Sequence, residues 1–403
     1  MFGLSINLLI ALVIGCCAGV FTGLAPGIHT NTVAALVLVG LPFLTKWFSP
    51  LALGVLLVSM VVMHGFVDFI PSIFLGAPDD AETALSVLPG HKMLLEGKGY
   101  EALKLTIIGG AGATIIGLAM LPAFGFLISK YYDKAGLVIP FTILVFSAFF
   151  ILLEKDLKGK IWALLVFLMS GVLGLLVLNN IPVKEPLFPL LTGLFGLPTI
   201  IISLQSKSKI VKQKISDGLN FGRHWFLHIK AGFCAALMSV LPALGGAQAT
   251  VLAQALSKNK SGSDFLIMVG GINTVSSVFV LATLWLIGRA RTGVLSAMKQ
   301  FLEVDLSGFI ILLIFSLAAV MISIIVTLKL GKIVAVNITK IKYKKLSLAV
   351  FLILIALVGI FSRFSGLLVL SVATAIGLIA PKVGIKRIHA MGVLAIPIVL
   401  YFI

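Results

Sequence analysis

The stretch Gly15-Cys-Cys-Ala-Gly-Val-Phe-Thr-Gly-Leu-Ala-Pro26-Gly27-Ile-His29-Thr30-Asn31-Thr32 is a charge-free apolar run broken at its middle. Proline removes a backbone donor and clashes with the preceding turn, and glycine accepts conformations closed to other residues, so the pair ends a helix. A second stretch has the same build: Gly232-Phe-Cys-Ala-Ala-Leu-Met-Ser-Val-Leu-Pro242-Ala-Leu-Gly245-Gly246-Ala-Gln248-Ala-Thr250. With one gap, Gly15, Cys17, Ala18 and Leu24 fall on Gly232, Cys234, Ala235 and Leu241, and Pro26 falls on Pro242. The chain thus carries an internal repeat whose unit contains a broken apolar segment.

The surroundings fix the solvent. No Lys, Arg, Asp or Glu occurs from Met1 to Thr45, and charge-free stretches cover 47–67, 105–129, 135–153, 161–183, 186–206, 265–288, 307–328, 346–362 and 364–381. About 20 apolar residues cross a hydrocarbon layer of about 30 Å. Of the 403 residues 60% are hydrophobic and 11% charged, against about 25% charged in a soluble domain. We therefore expect an all-α polytopic membrane protein with about ten full spans, two inverted repeats and re-entrant Gly/Pro hairpins. The first segment reads as mature protein and not as a signal peptide, because no basic residue precedes it and the apolar pattern continues past any cleavage site. Cys16, Cys17 and Cys234 lie in apolar segments without metal-ligand spacing and read as packing residues.

The formal charge of +17 would point to a nucleic-acid partner in a soluble protein. Here the basic residues gather in loops between apolar segments, at 207–230, 329–345 and 382–387, as cytoplasmic loops do, so the partner is the lipid bilayer and no nucleic acid is expected. The chain divides into a first membrane repeat with additional spans (1–206), a basic cytoplasmic loop (207–230) and a second repeat with C-terminal spans (231–403). If the three basic loops share one side, 346–381 must hold two spans that turn at Arg363. By the same parity, 231–257 must enter and leave on one face. An odd number of spans between the halves then inverts the second hairpin relative to the first.

A broken hairpin at membrane depth must have its free backbone groups met by protein or by a water-filled cavity, so it is a polar site by construction. Paired breaks in two halves point to a midplane binding site. The candidate substrate-binding residues are Gly27, His29, Thr30 and Asn31 at one tip and Gly245, Gly246 and Gln248 at the other, with Asn273, Arg289 and Arg291 from the Gly-rich interruptions Gly270-Gly271-Ile-Asn273-Thr274 and Gly288-Arg289-Ala-Arg291-Thr-Gly293. The uncharged tip residues can ligate a carboxylate, phosphate or sodium, and an arginine can fork onto an anion. Acidic residues are sparse, and a buried charge costs about 3 kcal/mol at the bilayer centre, which makes Asp68, Asp79, Asp80 and Glu82 candidates for coupling to a proton or cation. A plainer role is open for each: Asp79 and Asp80 as caps of an interfacial helix, His64 and Asp68 as a structural pair four residues apart, the arginines as interfacial charges. No catalytic residue, metal site or cofactor is expected beyond a coupling Na+ or H+.

Several of these segments resemble the TctA family, the large membrane subunit of tripartite tricarboxylate transporters. The resemblance rests on Gly23-Leu-Ala-Pro-Gly-Ile28, on Leu75-Gly-Ala-Pro78 with the following Leu88-Pro-Gly90 and Glu96-Gly-Lys-Gly-Tyr-Glu-Ala-Leu103, and on Pro186-Leu-Phe-Pro-Leu-Leu-Thr-Gly-Leu-Phe-Gly-Leu-Pro198. It continues through the hairpin at 232–250 to Lys386-Arg-Ile-His-Ala-Met-Gly-Val-Leu-Ala-Ile-Pro397. It implies a secondary transporter in the cell membrane that moves a small organic anion with proton or sodium, with a binding protein and a small membrane subunit as accessory partners. Two other readings stand beside it. One is a translocase of a lipid-linked phosphate such as polyprenyl phosphate, which basic loops and paired hairpins would also suit. The other is an intramembrane prenyl-transfer enzyme with Asp79-Asp80 holding Mg²⁺, although such chemistry calls for a second Asp-rich motif that this sequence lacks.

Overall fold

The computed structural model describes residues 2–25, 30–75, 89–135, 139–184, 186–205, 211–215, 218–219, 224–241, 245–257, 261–340 and 343–402. Every regular element among them is helical. The first half runs α1 (Phe2–Leu24), α2 (Thr30–Val39), α3 (Pro50–Val67), the short α4 (Phe69–Leu75) and α5 (Gly99–Ala135). Next come α6 (Ile139–Leu152), α7 (Leu157–Leu175) and α8 (Leu197–Gln205). The second half runs α9 (Trp225–Val240), α10 (Gly246–Ala255), α11 (Gly262–Ile287), α12 (Gly293–Met298) and α13 (Leu306–Asn337). The chain closes with α14 (Tyr343–Val383) and α15 (Gly392–Phe402). Among the described residues, seven helices are long and apolar enough to cross a membrane.

Short polar side chains set many of the starts. Ser49, Asp156, Ser261, Thr292 and Asp305 each precede a helix and accept an N–H from its first turn, which satisfies a donor that has no partner inside the helix. The basic stretches are not all loop: α9 begins inside 207–230, and α13 runs on through Lys329 and Lys332.

α14 is a hairpin of two arms, 343–362 and 364–383. Arg363 between them has φ 58° and ψ −162°, and a Cβ placed on Gly359 would touch the Leu367 side chain at 3.8 Å. Eight residues of continuous helix would set those positions roughly 12 Å apart, so the chain doubles back at the expected turn.

The two core helices are α3 and α11. In each, 78% of the apolar window is buried, against 44% or less in the other long helices. α3 packs on α1 and α13, and α11 packs on α9 and α5. The last helix of each half therefore crosses to the core helix of the other, and one apolar core draws on both. A second, smaller core joins α7, the 364–383 arm and α15.

Glycine makes these crossings close. Gly15, Gly19 and Gly23, one turn apart on α1, lie on the backbone of α3: a Cβ on Gly19 would stand 2.6 Å from the Met60 carbonyl oxygen, and one on Gly23 2.9 Å from Val67 Cβ. Small residues at this spacing let helices associate by van der Waals contact where no hydrophobic force acts between them. The Gly270-Gly271 interruption expected from the sequence is not an interruption. α11 runs unbroken through it, and the two glycines instead face Thr106 and Gly109 of α5 at the crossing.

Candidate functional site

Both Gly/Pro stretches fold back on themselves. α9 ends at Val240, Leu241 and Gly245 are extended, and α10 begins at Gly246. Beyond the break, Lys230 Nζ donates to Ser257 Oγ at 3.2 Å. A straight helix would separate these residues by roughly 40 Å. In the first half, Asn7 Nδ2 of α1 donates to the Trp47 carbonyl at 3.2 Å, which brings the chain after α2 back to the start of α1. The helices that leave the two breaks, α2 and α10, are each 10 residues long.

The tips themselves are partly described. Gly27 and His29 of the first, with Pro26, and Pro242 to Leu244 of the second lie outside the described residues. Thr30, buried, and Asn31, half-buried, open α2. Gln248 is buried on α10, and its Oε1 accepts the Gly245 N–H at 3.0 Å. That bond caps the helix and fastens the tip in place. The Thr250 hydroxyl, also buried, has no partner among the described residues.

One loop joins the two tips. α11 ends on Gly288, whose φ of 62° is the left-handed conformation that a glycine end-cap supplies without strain. From there the chain runs 289–292 into α12. Arg291 Nη2 donates to Tyr132 Oη at 3.0 Å and also to the Val240 carbonyl, so the guanidinium sits on the C-terminus of α9 at the second tip. Its Nε–H is buried with no partner among the described residues. Two residues on, Gly293 faces the first tip: a Cβ there would stand 2.6 Å from Asn31 Oδ1. Two residues span at most roughly 7 Å, so Val240 of one tip and Asn31 of the other are held to a single short tether. Arg289 is exposed.

Beside the first tip, α1 and α3 enclose polar groups. Thr22 Oγ1 donates to the Gly19 carbonyl at 3.2 Å and is 3.1 Å from His64 Nδ1. Asp68 ends α3 one turn later, 1% exposed, its N–H on the His64 carbonyl. Asp79, Asp80 and Glu82 lie outside the described residues. Asn273 stands at the meeting of α3 and α11, where its Nδ2 donates at 2.9 Å to the carbonyl of Gly65, one residue after His64. Asn273→Ala removes a single bond to a carbonyl already inside a helix. It should lower the unfolding free energy by about 0.6–1 kcal/mol, read as a small drop in midpoint for the detergent-purified protein.

Sequence reasoning brought the two tips and the 288–293 loop to one place but missed Thr22, Gly65 and Tyr132. A threonine, a glycine and a tyrosine within or beside apolar helices carry no signal until the helices are paired.

The pattern of the tripartite tricarboxylate transporter TctA family matches residues 9–392. An uncharacterized protein of Methanocaldococcus jannaschii is 33% identical over 408 residues, covering 98% of this chain and 99% of its own. No solved structure matches. With a family match that takes in both hairpins, both core helices and the loop that tethers the tips, the chain belongs to the tripartite tricarboxylate transporter TctA family.

Proposed function

We propose that the protein is the membrane subunit of a secondary transporter for a small organic anion of the tricarboxylate type, coupled to proton or sodium, with the anion held between the two hairpin tips near the bilayer midplane. The observation that carries this is the 288–293 loop, which holds both tips together and leaves the Arg291 Nε–H, beside one of them, without a partner among the described residues. The N-termini of α2 and α10 open at the tips, and a helix N-terminus brings free N–H groups and partial positive charge to an anion. The C-termini of α1 and α9 would suit a cation. Arg291 already occupies that of α9, which leaves the first tip, with Asp68 at its side, as the cation side.

On this reading the halves are inverted repeats. Hairpins that return to their starting side, with an odd number of crossings between them, open to opposite faces, and with the arms of α14 the chain makes about ten crossings. Proteins of this family are the large subunits of tripartite systems, so a binding protein that delivers the anion and a small membrane subunit are the partners we assign, in the cell membrane.

The test is a thermal-shift series on the detergent-purified protein with citrate, other di- and tricarboxylates, inorganic phosphate and a phospho-isoprenoid, each with and without sodium. Working on binding avoids any need for a delivery protein. A true ligand at about 100 times its dissociation constant stabilises by about 2.7 kcal/mol. Stabilisation by a carboxylate is the expected result. Stabilisation by the phospho-isoprenoid alone would sink the reading.

A further inference from the structure

Glu154 and His389 meet from distant parts of the chain. Glu154 lies in the turn after α6, His389 in the single turn Arg387–Met391 before α15, and His389 Nε2 is 2.8 Å from Glu154 Oε1. The same oxygen accepts the Lys386 N–H at 3.0 Å. Both side chains are buried, 2% exposed for His389 and 8% for Glu154. His389 also lines a cavity of about 20 Å³ together with Ser147 and Gln248, closed by Phe150, Phe167 and Met391. That volume admits one water. Gln248 is the side chain that fastens the second tip through Gly245.

A carboxylate beside a neutral imidazole leaves a net charge of −1 in a poorly solvated place. One proton from water neutralises the pair as a whole, whichever of the two holds it. The surrounding charges do not settle the matter in advance. Lys155 and Asp156 beside Glu154 and Lys382 on the 364–383 arm are exposed, with Asp156 turned to the Gly159 N–H; Lys386 and Arg387 are half-buried on the same turn as His389. α6, α7 and α10 present only neutral groups to the cavity.

We propose that the Glu154–His389 pair is a proton-binding site that controls the second hairpin tip through Gln248. With the proton bound, the pair is neutral and Gln248 keeps Gly245. With it released, the negative charge draws the amide N–H donors of Gln248, or a water between them, toward the cavity, and the hold of Oε1 on Gly245 weakens. The site is separate from Asp68 and does not depend on which ion drives transport.

The experiment needs no substrate, so a failure of the transport reading would leave it intact. Hydrogen exchange of residues 245–257 is followed by mass spectrometry on protein in lipid nanodiscs at about pH 5 and about pH 8, corrected for intrinsic rates; burial holds the His389 imidazole below its ordinary range, so the window reaches below that range. In the wild type, exchange of this segment should be faster at the higher pH by about tenfold, the equivalent of one pKa unit between the two states of the tip. In Glu154→Gln, which cannot carry the charge, the segment should stay protected at both. A wild-type profile flat in pH, or an unchanged pH response in Glu154→Gln, overturns the proposal and leaves the pair a structural tie. The wild-type measurement decides even if the variant fails to fold.

Discussion

Gly293→Val should lower uptake of labelled citrate into proteoliposomes by about a hundredfold or more while the protein stays inserted and monodisperse. A Cβ at this position would stand 2.6 Å from Asn31 Oδ1 and 2.7 Å from Asn31 Cγ. These atoms end a flexible side chain, so a single methyl can be absorbed by rotation of Asn31, and Gly293→Ala should keep much of the activity. Valine fills the space on both sides and drives the loop away from the first tip. Arg291, two residues earlier, still holds Val240, so the second tip stays where it is and the two tips separate. A displacement of about 1 Å is enough to cost a factor of a hundred when a bound molecule must be touched from both sides. Pairing the change with Asn31→Ala tests the mechanism. The double variant should fold as well as the wild type, since the clash is gone, and should remain inactive, since the contact is gone too. Transport at the wild-type rate by Gly293→Val would show that the tether carries no function.

The largest loss of stability should follow Gly109→Val. A Cβ on Gly109 would fall on the Ile267 carbonyl oxygen and stand 2.9 Å from the Gly271 nitrogen. Both are backbone atoms of α11, which cannot turn aside as a side chain can. α5 and α11 would have to part along their crossing, taking with them the Gly270 contact on Thr106. Overpacking of a core costs about 1–3 kcal/mol where side chains can adjust, and we expect the upper end of that range or beyond, seen as aggregation on size exclusion or a large fall in midpoint. Gly125 on the same helix is the internal control. A Cβ there would meet only the Leu286 methyls at 3.8 Å, so Gly125→Ala should be neutral or stabilising by about 0.5–1 kcal/mol, the ordinary gain of alanine over glycine in a helix. Equal damage from the two changes would mean that the crossing does not rest on backbone contact.

The sequence by itself determined the class, the broken hairpins, the turn at Arg363 and the family. Each of these is written in local chemistry. Charge-free apolar runs of about 20 residues cross lipid as helices, the breaks at Pro26-Gly27 and at Pro242 fall just beyond the ends of α1 and α9, and caps such as Ser49, Asp156 and Ser261 mark starts by bonding to residues three positions on. Local chemistry also misled once. Gly270-Gly271 looks like a break by composition, yet glycine in a helix serves equally to let another backbone approach, and only the presence of α5 distinguishes the two. The tertiary structure alone decided which polar groups meet. Nothing in the spacing of residues 154 and 389, of 22 and 64, of 65 and 273, or of 31 and 293 joins them. Residues 65 and 273 meet because α3 packs on α11, 22 and 64 because α1 packs on α3, 31 and 293 because α2 packs on α12, and 154 and 389 because the turn Arg387–Met391 and α15 pack on α7, contacts between surfaces that no stretch of sequence contains on its own.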